Sequence, residues 1–349
     1  PAATGEPPTS LTINALLLRY MQYTANYYVD TGGKPTQEWR DIKYTLRPLR
    51  RLYGRTLVRD FGPLALKAIR QHMIDVEDLS RKVINARINR IKRVFKWAVS
   101  EELAPAGAYE ALRSVAGLRY GRTTARETEP IKPVPQPWVD AVVEVVSPTI
   151  AAMIQVQELA GMRPCEVVVM RACDLDMSGD VWIYQPHYHK NRWRGHDRLI
   201  PLGPQAQQVL RPFLKLNTTA YLFSPREAEA WRNDRRRANR KTPMTPSQAK
   251  RRLKTKPKRP KRDHYDENAY RRAIEYGIKK ANRQREKNGE PPIPHWCPLQ
   301  LRHSRATEIR KRYGIEAAQV TLGHVRADVT QVYAERNLEA AVRIARETG

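Results

Sequence analysis

A chain of 349 residues, 41% of them hydrophobic, is long enough to bury a core in each of two domains. Its 63 lysines and arginines against 36 acids give a net charge of +27. That excess lies far outside the range of most soluble enzymes and favours a polyanionic partner: DNA, RNA or an anionic membrane surface.

In chain order, residues 1–8 are rich in Pro, Ala, Gly and Thr and are expected to be loose. Thr9 and Ser10 are candidate N-caps for a helix carrying Leu11, Ile13, Leu16, Leu17 and Tyr20. A second helix is expected over Ile42, Leu46, Leu49 and Leu52, ending near Gly54, and a third over Pro63 to Met73. The clearest pattern starts at Ser80, with Val83, Ile84, Ile88, Ile91, Val94, Phe95, Ala98 and Val99 at helical spacing. Its other face holds Arg81, Lys82, Arg87, Arg90, Lys92, Arg93 and Lys96, seven cations without an acid. Such a face suits phosphate contact better than plain solvation. Residues 1–119 thus read as a helical, basic module.

"YGRTTARETEPIKPVPQP" (120–137) has little periodicity and ends in closely spaced prolines, as a semi-rigid linker would. Beyond it, 150–162 reads as a helix closing at Gly161. "VWIYQP" (181–186) and "DRLIPL" (197–202) read as strands of a hairpin, and Gln205 to Leu214 as a helix. Residues 232–262 hold 15 cations against one acid, Asp234. Interspersed prolines forbid one continuous helix there, so a flexible polycationic insertion that settles on DNA is expected. Arg235, Arg236, Lys250 and Arg251 are its candidate contacts.

No run approaches the roughly 18 apolar residues of a spanning helix, and no secretory leader is expected, so membrane insertion is excluded and nucleic acid leads. Three scattered cysteines without a CxxC pair argue against a disulfide framework or a cysteine zinc site and suit the cytoplasm. The group His187, His189 and His196 stands beside Lys190 and Arg192, which fits a basic loop better than a zinc site.

Three separated blocks carry candidate chemistry. "ELAGMRPCEV" contains Arg163 and Glu166; "HYHKNRWRGHDRLIPL" contains Lys190; "LQLRHSRAT", "LGH" and "VYAE" contain Arg302, His303, His324 and Tyr333. Moving a phosphodiester without a metal needs a nucleophile, cations to neutralise the phosphorane, and an acid for the departing sugar oxygen. Arginine suits the second task because its planar fork meets two non-bridging oxygens.

The blocks, in this order and with a nine-residue step from His324 to Tyr333, resemble the tyrosine recombinase (phage integrase) family. The resemblance implies a mainly α fold with a small antiparallel β-sheet. It implies a helical core-binding domain (1–119), a linker (120–137) and an α+β catalytic domain (138–349), in which the basic stretch at 232–262 is an insertion outside the family's minimal core. It implies Tyr333 as nucleophile, Arg163 and Arg302 as phosphate clamps, His324 as a further donor, Lys190 as the acid, and Glu166 and His303 in support. Arg192 and Arg194 on the Lys190 loop, with Arg87, Arg90, Arg93 and Lys96, are expected on DNA. No cofactor, ATP or metal is implied, because the phosphotyrosine link conserves the bond energy. The implied partners are double-stranded DNA, a homotetramer on it and DNA-bending accessory proteins.

One position departs from the family: Leu299 stands where a histidine is usual, three residues before Arg302. Leucine cannot exchange a proton or bind phosphate, so His303, His295 or water would have to substitute. The rival readings are a type IB topoisomerase, which reseals the same strand and makes no Holliday junctions, and a DNA-binding relative without catalysis.

Overall fold

The computed structural model describes residues 10–30, 32–187, 198–250, 262–323 and 327–333. The chain divides into two compact units, Pro1–Pro130 and Ile131–Gly349, so the boundary falls inside the proline-rich stretch 120–137. Among the described residues it is mainly helical with one small antiparallel sheet. None of the described helices is long and apolar enough to cross a membrane.

The first unit packs α1 (Ile13–Tyr27), α2 (Gln37–Tyr53), α3 (Pro63–Asp75), α4 (Arg81–Ser100) and α5 (Ala108–Arg113) around one core. The first helix starts later than expected: Thr12, the last extended residue, is its N-cap and accepts from the Ala15 N–H at 3.3 Å. α4 buries Ile84, Ile88, Ile91, Val94, Phe95 and Ala98, and Phe95 stacks on Phe61 at 4.9 Å. Val83, expected in that stripe, is instead 42% exposed, because it lies one step of about 100° from the Ile84 row.

In the second unit, α6 (Gln136–Val143), α7 (Pro148–Ala160) and α8 (Pro164–Val168) precede the sheet. Strand β2 (Trp182–Tyr184) pairs antiparallel with β3 (Ile200–Leu202), Trp182 opposite Leu202. The hairpin strands are shorter than expected, and a third strand, β1 (Leu175–Asp176), joins the outer side of β2. Helices α9 (Pro204–Leu210), α10 (Pro225–Ala238), α11 (Pro246–Ala249), α12 (Glu267–Lys287), α13 (Pro298–Leu322) and α14 (Ala327–Tyr333) complete the order.

α7 is apolar on most of its surface and sits centrally, with Met153, Ile154 and Val156 fully buried. Its one buried amide is satisfied: Gln157 donates to the Pro298 carbonyl at 2.8 Å and accepts from the Tyr270 hydroxyl at 2.9 Å. α10 enters the basic run, which therefore begins as helix rather than as a flexible segment. Ser224 caps it, Pro225 fits its first turn, and no further proline intervenes before Pro243.

α13 is broken at Gly314, whose φ of 87° and ψ of 177° are not helical. This break turns one 25-residue segment into two arms. Open space surrounds the missing Cβ, so only backbone conformation selects glycine. Gly314→Ala is expected to lower stability by about 1–2 kcal/mol in urea denaturation. An unchanged midpoint would mean that the break tolerates a side chain.

Candidate active site

α7 closes on Gly161 in the left-handed region, and the chain turns extended at Arg163, which precedes α8 with Pro164 at its first position. Glu166 in that first turn accepts from the Arg163 N–H at 2.7 Å and from Arg163 Nη1 at 2.8 Å. Its other guanidinium neighbour is Arg198, whose Nε lies 3.3 Å from Oε1. Glu166 is wholly buried. Burial pushes its carboxyl up, but Arg198, Arg163, the Arg163 N–H and Arg302 together bring it below its ordinary 4.5. The ionised form therefore stabilises the folded chain above about pH 4.5, and that contribution is lost as the pH falls from there through the lowered folded value. Glu166→Gln is expected to flatten the acid limb of a plot of thermal midpoint against pH. A limb as steep as that of the parent would place the titration elsewhere.

Arg302 lies in the second turn of α13 and is also fully buried. Nη1 donates to the Gly161 carbonyl at 2.7 Å and Nη2 to the Leu322 carbonyl at 2.8 Å. These carbonyls stand at the C-terminal ends of α7 and α13, where helix dipoles favour a cation and backbone acceptors lack helical partners. Burial first, then Arg163 and Arg198, bring the guanidinium down to about 9 against the opposing field of Glu166. It stays charged at neutral pH.

Tyr333, at the end of α14, packs on Ala306 and Leu322. Its ring stacks on His303 at 4.5 Å and 30°, and its centroid is 5.4 Å from Arg302 Cζ. Burial lowers the His303 imidazole below its ordinary 6.5, against a hydrogen bond to the Tyr333 backbone. A neutral ring stacks against the tyrosine at pH 7. Arg163, Glu166, Arg302, His303 and Tyr333 thus converge from three parts of the sequence.

Lys190, Arg192, Arg194, His324 and Arg251 lie outside the described residues, as do His189 and His196. Leu299 is half-buried in the first turn of α13. Of the suggested substitutes for a histidine there, His303 lies against Tyr333, whereas His295 is exposed with Nε2 3.4 Å from Glu275. Among the described residues no group of acids, histidines and cysteines could hold a metal.

The basic residues divide. In the first unit, Arg87 pairs with Glu77 at 2.6 Å, and Arg90 forks onto Glu38 at 3.0 and 2.7 Å and reaches Asp41 at 3.2 Å. Arg93 also pairs with Glu38. These three expected phosphate contacts therefore already have acidic partners. Lys96 is exposed, beside the Tyr109 ring. In the second unit Arg235, Arg236 and Lys250 are exposed.

Arg198 is the site residue that the sequence reading did not single out. The signal was the strand alternation itself: Arg198, Ile200 and Leu202 are buried, while Leu199 is 54% exposed.

The phage integrase family model matches residues 140–339, and the chain belongs to this family. The tyrosine recombinase XerD of Ralstonia nicotianae is 28% identical over 155 residues, which are 44% of this chain and 47% of XerD. The chain thus matches about half the length of that relative. Among solved structures, a lambda integrase dimer bound to a COC' core site superposes with a TM-score of 0.63 at 12% identity, covering 94% of this chain and 78% of the other. The integrase of transposon Tn1549 in complex with transposon right end DNA gives 0.66 at 15% identity, covering 97% and 100%. A lambda integrase tetramer bound to a Holliday junction gives 0.59 at 12%, covering 95% and 79%. At these identities the shared property is the fold.

Proposed function

We propose that this chain is a site-specific DNA recombinase that cuts and rejoins strands through a phosphotyrosine link. The observation that carries the reading is the Tyr333 ring stacked on His303 beside Arg302, in one cluster with the Arg163–Glu166 pair. The Tyr333 oxygen attacks the scissile phosphorus, and its proton leaves to solvent. The bond to the 5′-oxygen breaks, leaving a 3′-phosphotyrosine and a 5′-hydroxyl. Lys190 supplies the proton that the departing oxygen takes up. Arg163 and Arg302 bear on the non-bridging oxygens, where charge grows as the phosphorane forms. His324 adds a hydrogen bond to the same phosphate.

A 5′-hydroxyl from a second duplex then attacks the link and frees the tyrosine. Exchange between two duplexes uses four such sites, hence a homotetramer on double-stranded DNA. The exposed cations of the basic run and the net charge of +27 suit that partner.

The test is covalent capture on sheared duplex DNA carrying random nicks, in metal-free buffer. Adducts that survive boiling in SDS are collected and their DNA is sequenced. Adducts clustered at one sequence support site-specific cleavage. Tight, salt-dependent binding without any adduct would turn the reading toward a non-catalytic DNA binder.

A further inference from the structure

Arg198 is costly where it stands. The residue is 5% exposed, and taking a guanidinium out of water costs several kcal/mol unless its donors are matched. The matching is poor. Nε is 3.3 Å from Glu166, Nη1 reaches only the Leu199 carbonyl at 3.5 Å, and Nη2 has no hydrogen-bond partner. A methionine of similar length would fill the same space without that cost, so packing does not explain the residue.

Two features do. The first is Gly323, which ends α13 in the left-handed region with φ 65°. A Cβ on Gly323 would stand 2.3 Å from Arg198 Nη1 and 3.1 Å from its Cζ, so the glycine leaves the seat that the guanidinium occupies. This links the strand leaving the Lys190 hairpin to the turn that His324 follows directly in sequence. The second is charge. One carboxylate, Glu166, faces Arg163 and Arg198, with Arg302 in its field, and all three favour its ionised form. Three cations and one anion leave the cluster at +2, matching a phosphorane that carries two negative charges. Without Arg198 the cluster falls to +1 and Glu166 is left to Arg163.

We infer that Arg198 is a positioning residue for strand cleavage: it shares Glu166 with Arg163, so that Arg163 keeps a guanidinium edge for phosphate, and it seats the Gly323 turn. Arg163 uses only Nη1 on Glu166, and its side chain is 18% exposed. The inference rests on the recombinase reading proposed above.

The experiment compares the parent protein with Arg198→Met, Arg198→Lys and Gly323→Ala. Each is scored for the rate of SDS-resistant adduct formation on the nicked DNA pool, the Kd for that pool and the thermal midpoint. Arg198→Met is expected to cut on the order of 100-fold more slowly, with Kd changed less than about threefold and the midpoint unchanged or higher. Arg198→Lys, which keeps the charge, is expected to recover on the order of tenfold of that loss. Gly323→Ala keeps every charge but displaces the guanidinium, and is expected to slow cleavage as well.

Parent-like cleavage by Arg198→Met would overturn the inference and leave the recombinase reading standing. So would a cleavage loss that follows the thermal midpoint down, with Lys no better than Met, since that marks a merely structural cation. A parent protein that forms no adduct would remove the recombinase reading, and this inference with it.

Discussion

Tyr333→Phe is expected to abolish SDS-resistant attachment to DNA while leaving folding and DNA binding at parent levels. The change removes one hydroxyl and nothing else. The phenylalanine ring still stacks on His303, still lies beside Arg302, and still packs on Ala306 and Leu322. Stability should change by no more than about 1 kcal/mol, the usual net worth of one hydroxyl's hydrogen bond. On the proposed mechanism the chemical step loses its nucleophile, and such losses reach about 10⁴-fold or more, roughly the removal of detectable adduct. The salt dependence of binding reports the number of phosphates neutralised, so its slope should not change. A phenylalanine variant that still attaches would assign the nucleophile to another side chain.

Arg302→Met has a different signature, because the variant should lose its fold along with its chemistry. The guanidinium holds the Gly161 and Leu322 carbonyls. Methionine leaves both buried acceptors unmatched and removes one of the three cations around Glu166. A loss of about 3–5 kcal/mol is expected in urea denaturation, a large part of the stability of an ordinary domain. Arg302→Lys keeps the charge and should fall between parent and Met, since an ammonium lacks the planar fork that meets two acceptors at once. A folded Arg302→Met with a parent-like midpoint would show that the carbonyls find other donors. The charge would then act on the substrate alone.

Much of the candidate site was legible because its residues sit in short local spacings. Arg163 and Glu166 are three residues apart across a helix start, and Arg302 and His303 are adjacent on α13. The fold was legible where the apolar period was strong, as in α4, or where a long apolar run closes on a glycine, as in α7. What escaped depends on partners distant in sequence. The Arg87, Arg90 and Arg93 face looked free for phosphate because Glu38, Asp41 and Glu77 reach it from outside α4. Arg198 was read as part of a strand but not as a site residue, although its alternation with Ile200 and Leu202 placed it inward. α12 received no assignment. Its signal was present in the Asp266 cap and in Tyr270, Ile274, Ile278 and Ala281, but basic residues surround that stripe and dilute it. The break at Gly314 has no composition cue beyond the glycine itself.

The double hold of Arg302 on two helix ends has a consequence for how copies of such a gene decay. A copy damaged at Tyr333 yields a folded protein that still occupies its DNA and competes with working copies. A copy damaged at Arg302 is expected to yield a strongly destabilised chain that proteolysis clears faster. Inert descendants that persist as folded protein would therefore lack the tyrosine and keep the arginine.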